Sequence, residues 1–159
     1  MFVAKQVQKQ EKELSYDYIR GLIEGEGCFT FSTNRSTDKN GYIKIRSVPA
    51  FAIGMHERDF NLLTSVRDKL KLKNRVYIYA QTQKDGFKRG KKAFLIVREY
   101  GNLKNIIIPL FYKKLFGNKK IQFEDWMEKI GSDPYISKKL KFIHFLYLSG
   151  YYEKIHEFD

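Results

Sequence analysis

The stretch YIRGLIEGEGCF (residues 18–29) decides how the rest of the chain is read. Its apolar residues suit one buried helix face, yet it holds Glu24 and Glu26 among the glycines Gly21, Gly25 and Gly27. Ser15 can cap a helix and Asp17 suits its first turn, so the pattern predicts a helix over 16–26 that stops at Gly27. Both glutamates then fall near the C-terminal end, where unpaired carbonyls already carry partial negative charge. Something positive has to compensate.

Outward from that helix, CFTFSTN (28–34) alternates, with Phe29 and Phe31 on one face and Thr30, Ser32 and Asn34 on the other. YIKIRSVPAFAIG (42–54) alternates again: Ile43, Ile45, Phe51 and Ile53 against Tyr42, Lys44 and Arg46. Pro49 lacks a donor and predicts a bulge or an edge position. Residues 57–72 turn helical, and RVYIYAQTQ (75–83) predicts a strand with Val76, Ile78 and Ala80 inward. KAFLIVR (92–98) is too evenly apolar for its faces to be assigned. Helices follow over 102–115, broken at Pro109; over 119–130, with Asn118 as cap and Ile121, Trp126 and Ile130 as core; and over 134–149, capped by Asp133. The order α-ββ-α-ββ-α with additional C-terminal helices is an α+β fold, one antiparallel sheet with helices on one face. Residues 15–150 read as a single domain, 1–14 as a mobile polar tail and 151–159 as a C-terminal tail.

The 159 residues suffice for one core, and 30 Lys+Arg against 18 Asp+Glu give a net charge of +12, a field that attracts polyanions. The lone Cys28 excludes an internal disulfide, fits a reducing compartment and suits a core or half-buried place. His56, His144 and His156 lie too far apart for a zinc spacing. No apolar run is long enough to cross a bilayer, and the start lacks a signal-peptide core, so an intracellular protein without a membrane partner is expected. The outward strand residues (Thr30, Ser32, Asn34, Tyr42, Lys44, Arg46, Arg75, Tyr77, Tyr79, Gln81 and Gln83) form hydrogen bonds and reach base edges. Arg35 and Lys39 at one hairpin tip, and Lys88 and Arg89 at the other, suit phosphates. The same composition fits a plain solvated face; the net charge favours double-stranded DNA.

Gly21 and Gly25, four apart, allow close helix approach, either within the chain or between two copies. If two copies of the helix pack together, two Glu26 carboxylates meet and repel unless cations sit between them. Mg²⁺, which takes one or two carboxylates plus water and phosphate oxygens, answers that need.

IRGLIEGEG (19–27) resembles the LAGLIDADG motif of the homing endonucleases. Gly21, Leu22, Ile23 and Gly27 match directly, Glu24 and Glu26 replace aspartates, Gly25 holds the small-residue position, and Arg20 departs from the usual Ala. The resemblance runs over roughly residues 15–130, through PAFAIGMHERD and KKIQFEDW. It implies a dimer interface at Gly21, Leu22 and Gly25, and, since the chain has one motif, a homodimer. It implies a metal held by Glu26 with the Gly25 carbonyl, Glu24 being more structural. It places a basic catalytic residue near the scissile phosphate at Lys119 or Lys120, with Lys119 preferred. A water-positioning Gln of some members has no match; Met55 and His56 stand nearest. The implied activity is metal-assisted hydrolysis of double-stranded DNA at a long near-palindromic site. Mg²⁺ is the implied cofactor, with Mn²⁺ substituting and Ca²⁺ supporting binding without cleavage. Two alternatives stay open: a splicing maturase that binds intron RNA, and a non-catalytic DNA-binding protein, against which the presence of Glu26 speaks.

Overall fold

The computed structural model describes residues 12–80 and 90–159. Gln81, Gln83, Lys88 and Arg89, like most of the N-terminal tail, lie outside the described residues. Helix α1 (Tyr16–Glu26) leads into strands β1 (Gly27–Thr37) and β2 (Ile43–His56). A 3-10 turn (Glu57–Asp59), helix α2 (Phe60–Lys69) and strands β3 (Tyr77–Ala80) and β4 (Lys91–Val97) follow. The remainder is helical: α3 (Tyr100–Asn102), a π turn (Leu103–Ile107), α4 (Ile108–Phe111), α5 (Asn118–Ser132), α6 (Lys138–Leu148) and a 3-10 turn (Tyr151–Lys154). The sheet is antiparallel throughout, in the order β1-β2-β4-β3.

Helix α1 begins as expected, with the Ser15 hydroxyl accepting from Tyr18 N at 3.0 Å. Its end has a different cause from the one expected. Gly27 is extended, with φ −85°, so no left-handed cap ends the helix. Glycine is needed for room: a Cβ there would collide with the Ile23 side chain and lie 2.9 Å from the Ile23 carbonyl oxygen. The chain can therefore turn from helix to strand within one residue, which places Glu26 at the sheet boundary.

The core lies between the sheet and the helices. Phe29 sits at its centre, with ring centroids 5.5 Å from Phe51, 5.4 Å from Phe111, 5.1 Å from Phe123 and 5.3 Å from Trp126. Such pairs add about 0.5–1.5 kcal/mol each beyond area burial. Ile19 and Ile23 of α1, Leu63 and Val66 of α2, and Ala93, Leu95 and Val97 of β4 complete this layer. Residues 151–159, expected as a tail, contribute the buried Tyr152 and Phe158.

Several expectations are corrected by tertiary contacts. Cys28 is exposed, because its neighbour Phe29 takes the inward position of β1. Ile78 is inward by register with Ala93 but 46% exposed, because β3 is the sheet edge. Ile121 is 58% exposed on the rim of α5 rather than core. Asp133 does not start the last helix; its carboxylate accepts from Tyr135 N at 2.8 Å, and Ser137 caps α6 instead. Pro49 stays in regular register opposite Phe31. Its missing N–H points to the side of β2 that β4 joins only from Phe51, so no ladder bond is lost. Pro109 follows the π turn, where Ile108 N reaches back to the Leu103 carbonyl, widening the helix just where a donor is missing.

Candidate functional site

Two glutamates of α1, two residues apart, have different surroundings. Glu24 is half-buried, and its Oε1 accepts from Phe116 N at 3.0 Å and Gly117 N at 2.8 Å. Gly117 is the N-cap of α5 and has no side chain to serve, so Glu24 supplies the cap from across the fold. Asn118, expected as the cap, is the first helical residue. Glu26 is exposed and makes no ion pair among the described residues. Gly21 and Gly25 are exposed too, with open space where a Cβ would stand, and Leu22 beside them is half-buried. Among the described residues, the glycine face of α1 is thus not used for packing.

Helix α5 is fixed against the same corner by two more bonds. Gln122 Oε1 accepts from Phe29 N at 3.1 Å, and Trp126 Nε1 donates to the Thr30 carbonyl at 2.8 Å. Gln122 thereby covers the free edge of β1 at Phe29 N, which would otherwise be an unpaired backbone donor. Lys119 is half-buried one turn before Gln122, on the side of α5 that faces the start of β1. Lys120 is exposed and lines a separate cleft with Phe111, Lys113, Glu124 and Tyr147. The fold therefore brings the C-terminal end of α1 and the first turn of α5 together. Trp126 is buried as expected, but its bond and that of Gln122 escape sequence reading because their partners are backbone atoms.

The sheet face away from the helices carries the expected polar residues. Thr30, Ser32 and Asn34 stand opposite Ala50, Val48 and Arg46, and Ser36 opposite Lys44. Tyr77 and Tyr79 stack with ring centroids 6.0 Å apart, and the Arg75 guanidinium lies 5.4 Å over Tyr77. Lys39 and Tyr42 lie exposed in the turn between β1 and β2. Arg35 alternates to the other side of β1, opposite Ile45, out at the exposed tip. The centre of this face is more apolar than expected: Phe94 and Ile96 of β4 lie beside Gly54 and Ala52. A Cβ on Gly54 would come within 2.6 Å of Phe94, so the glycine lets that ring lie over β2.

A family model described as LAGLIDADG endonuclease matches residues 19–130, from the motif helix to the end of α5. The chain belongs to the LAGLIDADG endonuclease family. Solved LAGLIDADG structures share its fold. The homing endonuclease I-TnaI is 24% identical with a TM-score of 0.55, covering 74% of this chain and 71% of its own. The I-LtrWI LAGLIDADG homing endonuclease bound to target DNA is 22% identical with a TM-score of 0.58, over 94% of this chain and 46% of its own. The LAGLIDADG meganuclease I-CpaMI bound to uncleaved DNA is 17% identical with a TM-score of 0.57, over 99% and 48%. The chain thus spans a little under half the length of the latter two. Among the described residues no helix is long and apolar enough to cross a membrane.

The Glu24 cap gives a first expected outcome. Glu24→Ala should cost about 0.5–2 kcal/mol of stability, the range for a lost N-cap. Hydrogen exchange should rise first at the Phe116 and Gly117 amides; protection equal to wild type would show that Glu24 does not hold α5.

Proposed function

We propose that this LAGLIDADG chain is a site-specific, divalent-metal-dependent double-stranded DNA endonuclease that acts as a homodimer. The observation that carries this reading is the exposed Glu26 at the end of a helix whose glycine face is open. Among the described residues no three His, Cys, Asp or Glu side chains converge. One chain therefore offers the Glu26 carboxylate and the neighbouring Gly25 carbonyl, hard oxygen donors that suit Mg²⁺ when water and phosphate oxygens complete the shell. Packing α1 on a second α1 through Gly21, Leu22 and Gly25 pairs two such donor sets.

Each residue then has a task. Thr30, Ser32, Asn34, Lys44, Arg46, Tyr77 and Tyr79 bind the duplex, and Arg46 opposite Asn34 reads base edges. Lys119, on the side of α5 that faces the start of β1, offsets charge on the scissile phosphate, and Lys120 points elsewhere. A divalent cation held by Glu26 supplies Lewis acidity at that phosphate. Protein two-fold symmetry imposes a near-palindromic target.

Selection from a randomised duplex library in Ca²⁺, followed by Mg²⁺, tests the proposal. A near-palindromic site cut on both strands is expected. A site bound and left uncut in Mg²⁺ would replace the nuclease by a DNA-binding regulator. Enrichment of structured RNA over any duplex would replace it by an RNA-binding role.

A further inference from the structure

Two neighbouring rows of the sheet face away from the helices lack the polar side chains found elsewhere on it. Cross-strand pairing sets Cys28, Ala52 and Ile96 side by side in one row, and Gly54, Phe94 and Tyr77 in the next. Among the described residues, these rows hold no side-chain hydrogen-bonding group between the Cys28 thiol at one end and the Tyr77 hydroxyl at the other. The rows on either side are polar. Thr30 stands beyond the first, opposite Ala50, and Lys92 stands beyond the second, between His56 and Tyr79. The apolar rows lie at the Glu26 end of β1, because Gly54 follows Ile53, the partner of Gly27.

Phe94 is held in place by its neighbours. Gly54 gives its ring room over β2, the Tyr79 ring lies 5.7 Å from it at 59°, and Lys92 Nζ lies 5.4 Å from its centroid. Phe94 and Ile96 are only half-buried, so part of each side chain meets water on a face that the helices leave uncovered. In the major groove each base pair presents donors and acceptors, and the C5-methyl of thymine is the one apolar group among them. Polar edge atoms set against Phe94 and Ile96 lose water with no side chain to replace it, whereas a methyl gains by leaving water. Thymine therefore suits these two rows, and the polar rows beside them suit hydrogen-bonded readout.

We propose that Phe94 and Ile96 are specificity-determining residues that select thymine, through its methyl, at the base pairs facing these two rows. The inference rests on the duplex-binding reading above and adds to it the base that this part of the target carries. Its chemistry depends on one methyl group, and this sets the test.

The duplex enriched from the randomised library is remade with each thymine replaced singly by deoxyuridine, which removes the methyl and keeps every hydrogen-bonding group. Binding of the full chain is measured in Ca²⁺. At one or more positions in each half-site, deoxyuridine is expected to weaken binding about fourfold, the value of one buried methyl. In Phe94→Gln the loss at those positions should vanish, because thymine and deoxyuridine then bind alike. Ile96→Thr, which keeps a β-branched strand residue, is taken through the same cycle, so a fold damaged by loss of the ring does not decide the result. Wild-type binding that is indifferent to deoxyuridine at every position overturns the proposal, as does a methyl dependence unchanged in both variants. A chain that enriches no duplex overturns the duplex-binding reading itself.

Discussion

Glu26→Gln should leave duplex binding intact and remove cleavage. Glutamine keeps the length and shape of the side chain, and Glu26 is exposed, so nothing in the core is disturbed. What disappears is the anionic oxygen that would hold a divalent ion. Loss of outer-shell support for a metal already costs 10–100-fold, so loss of the ligand should lower the cleavage rate by roughly 10²-fold or more. Stability should move the other way. Glu26 is the last residue of α1, where the carbonyl ends are negative, and its charge there is unfavourable by about 0.3–1 kcal/mol. Neutralising it should therefore raise the urea midpoint slightly. In the proposed homodimer it should also tighten metal-free association, because two facing carboxylates would no longer repel. A side chain kept for structure would give the opposite pairing, lower stability with activity retained. Full cleavage by Glu26→Gln in Mg²⁺ would sink the assignment of this acid to the metal.

The parts of the fold that could be read in sequence are those whose causes are local. Helix α1 carries its own cap at Ser15 and its own stop at Gly27, and the alternation of β1 follows from one wet and one dry face. Strand β4 gave no such signal because both faces are covered. Ala93, Leu95 and Val97 meet the helices, while Phe94 and Ile96 are half-buried on the other side. The start of α5 escaped for another reason: its cap is Glu24, which lies 93 residues before Gly117 in the chain. At α6 a local signature lost to a tertiary need. Asp133 and Pro134 look like a helix start, but the loop stays open so that the Tyr135 carbonyl can meet Ser47 N on the unpaired side of β2. The candidate site divides in the same way. Glu26 and the glycine face were legible in one nine-residue motif, whereas the choice between Lys119 and Lys120 depends on how Gln122 and Trp126 seat α5 on β1.

Arg20, where the motif usually has Ala, leads to the largest expected loss of stability. Its side chain is buried, with the residue 6% exposed, and it ties three parts of the fold together. Nε donates to the Leu110 carbonyl at 2.7 Å, Nη2 to the Phe158 carbonyl, and Nη1 to Asp17 Oδ1 at 3.0 Å. The Asp17 side chain is 93% exposed, so that ion pair contributes little. The two carbonyl bonds matter more, because both are buried and Arg20→Met removes their donor while filling much of the space. An orphaned buried acceptor costs about 1–3 kcal/mol, which places the variant about 2–5 kcal/mol below wild type. That is a large share of a net stability of about 5–15 kcal/mol. Asp17→Asn, by contrast, should cost under about 1 kcal/mol, which separates the carbonyl bonds from the ion pair. The damage should begin at residues 151–159, where Arg20 holds the Phe158 carbonyl, so exchange of those amides should rise before global unfolding. If Arg20→Met unfolds at the wild-type urea midpoint, water satisfies both carbonyls, and Arg20 is a passenger in α1 rather than the bond between the motif helix and the end of the chain.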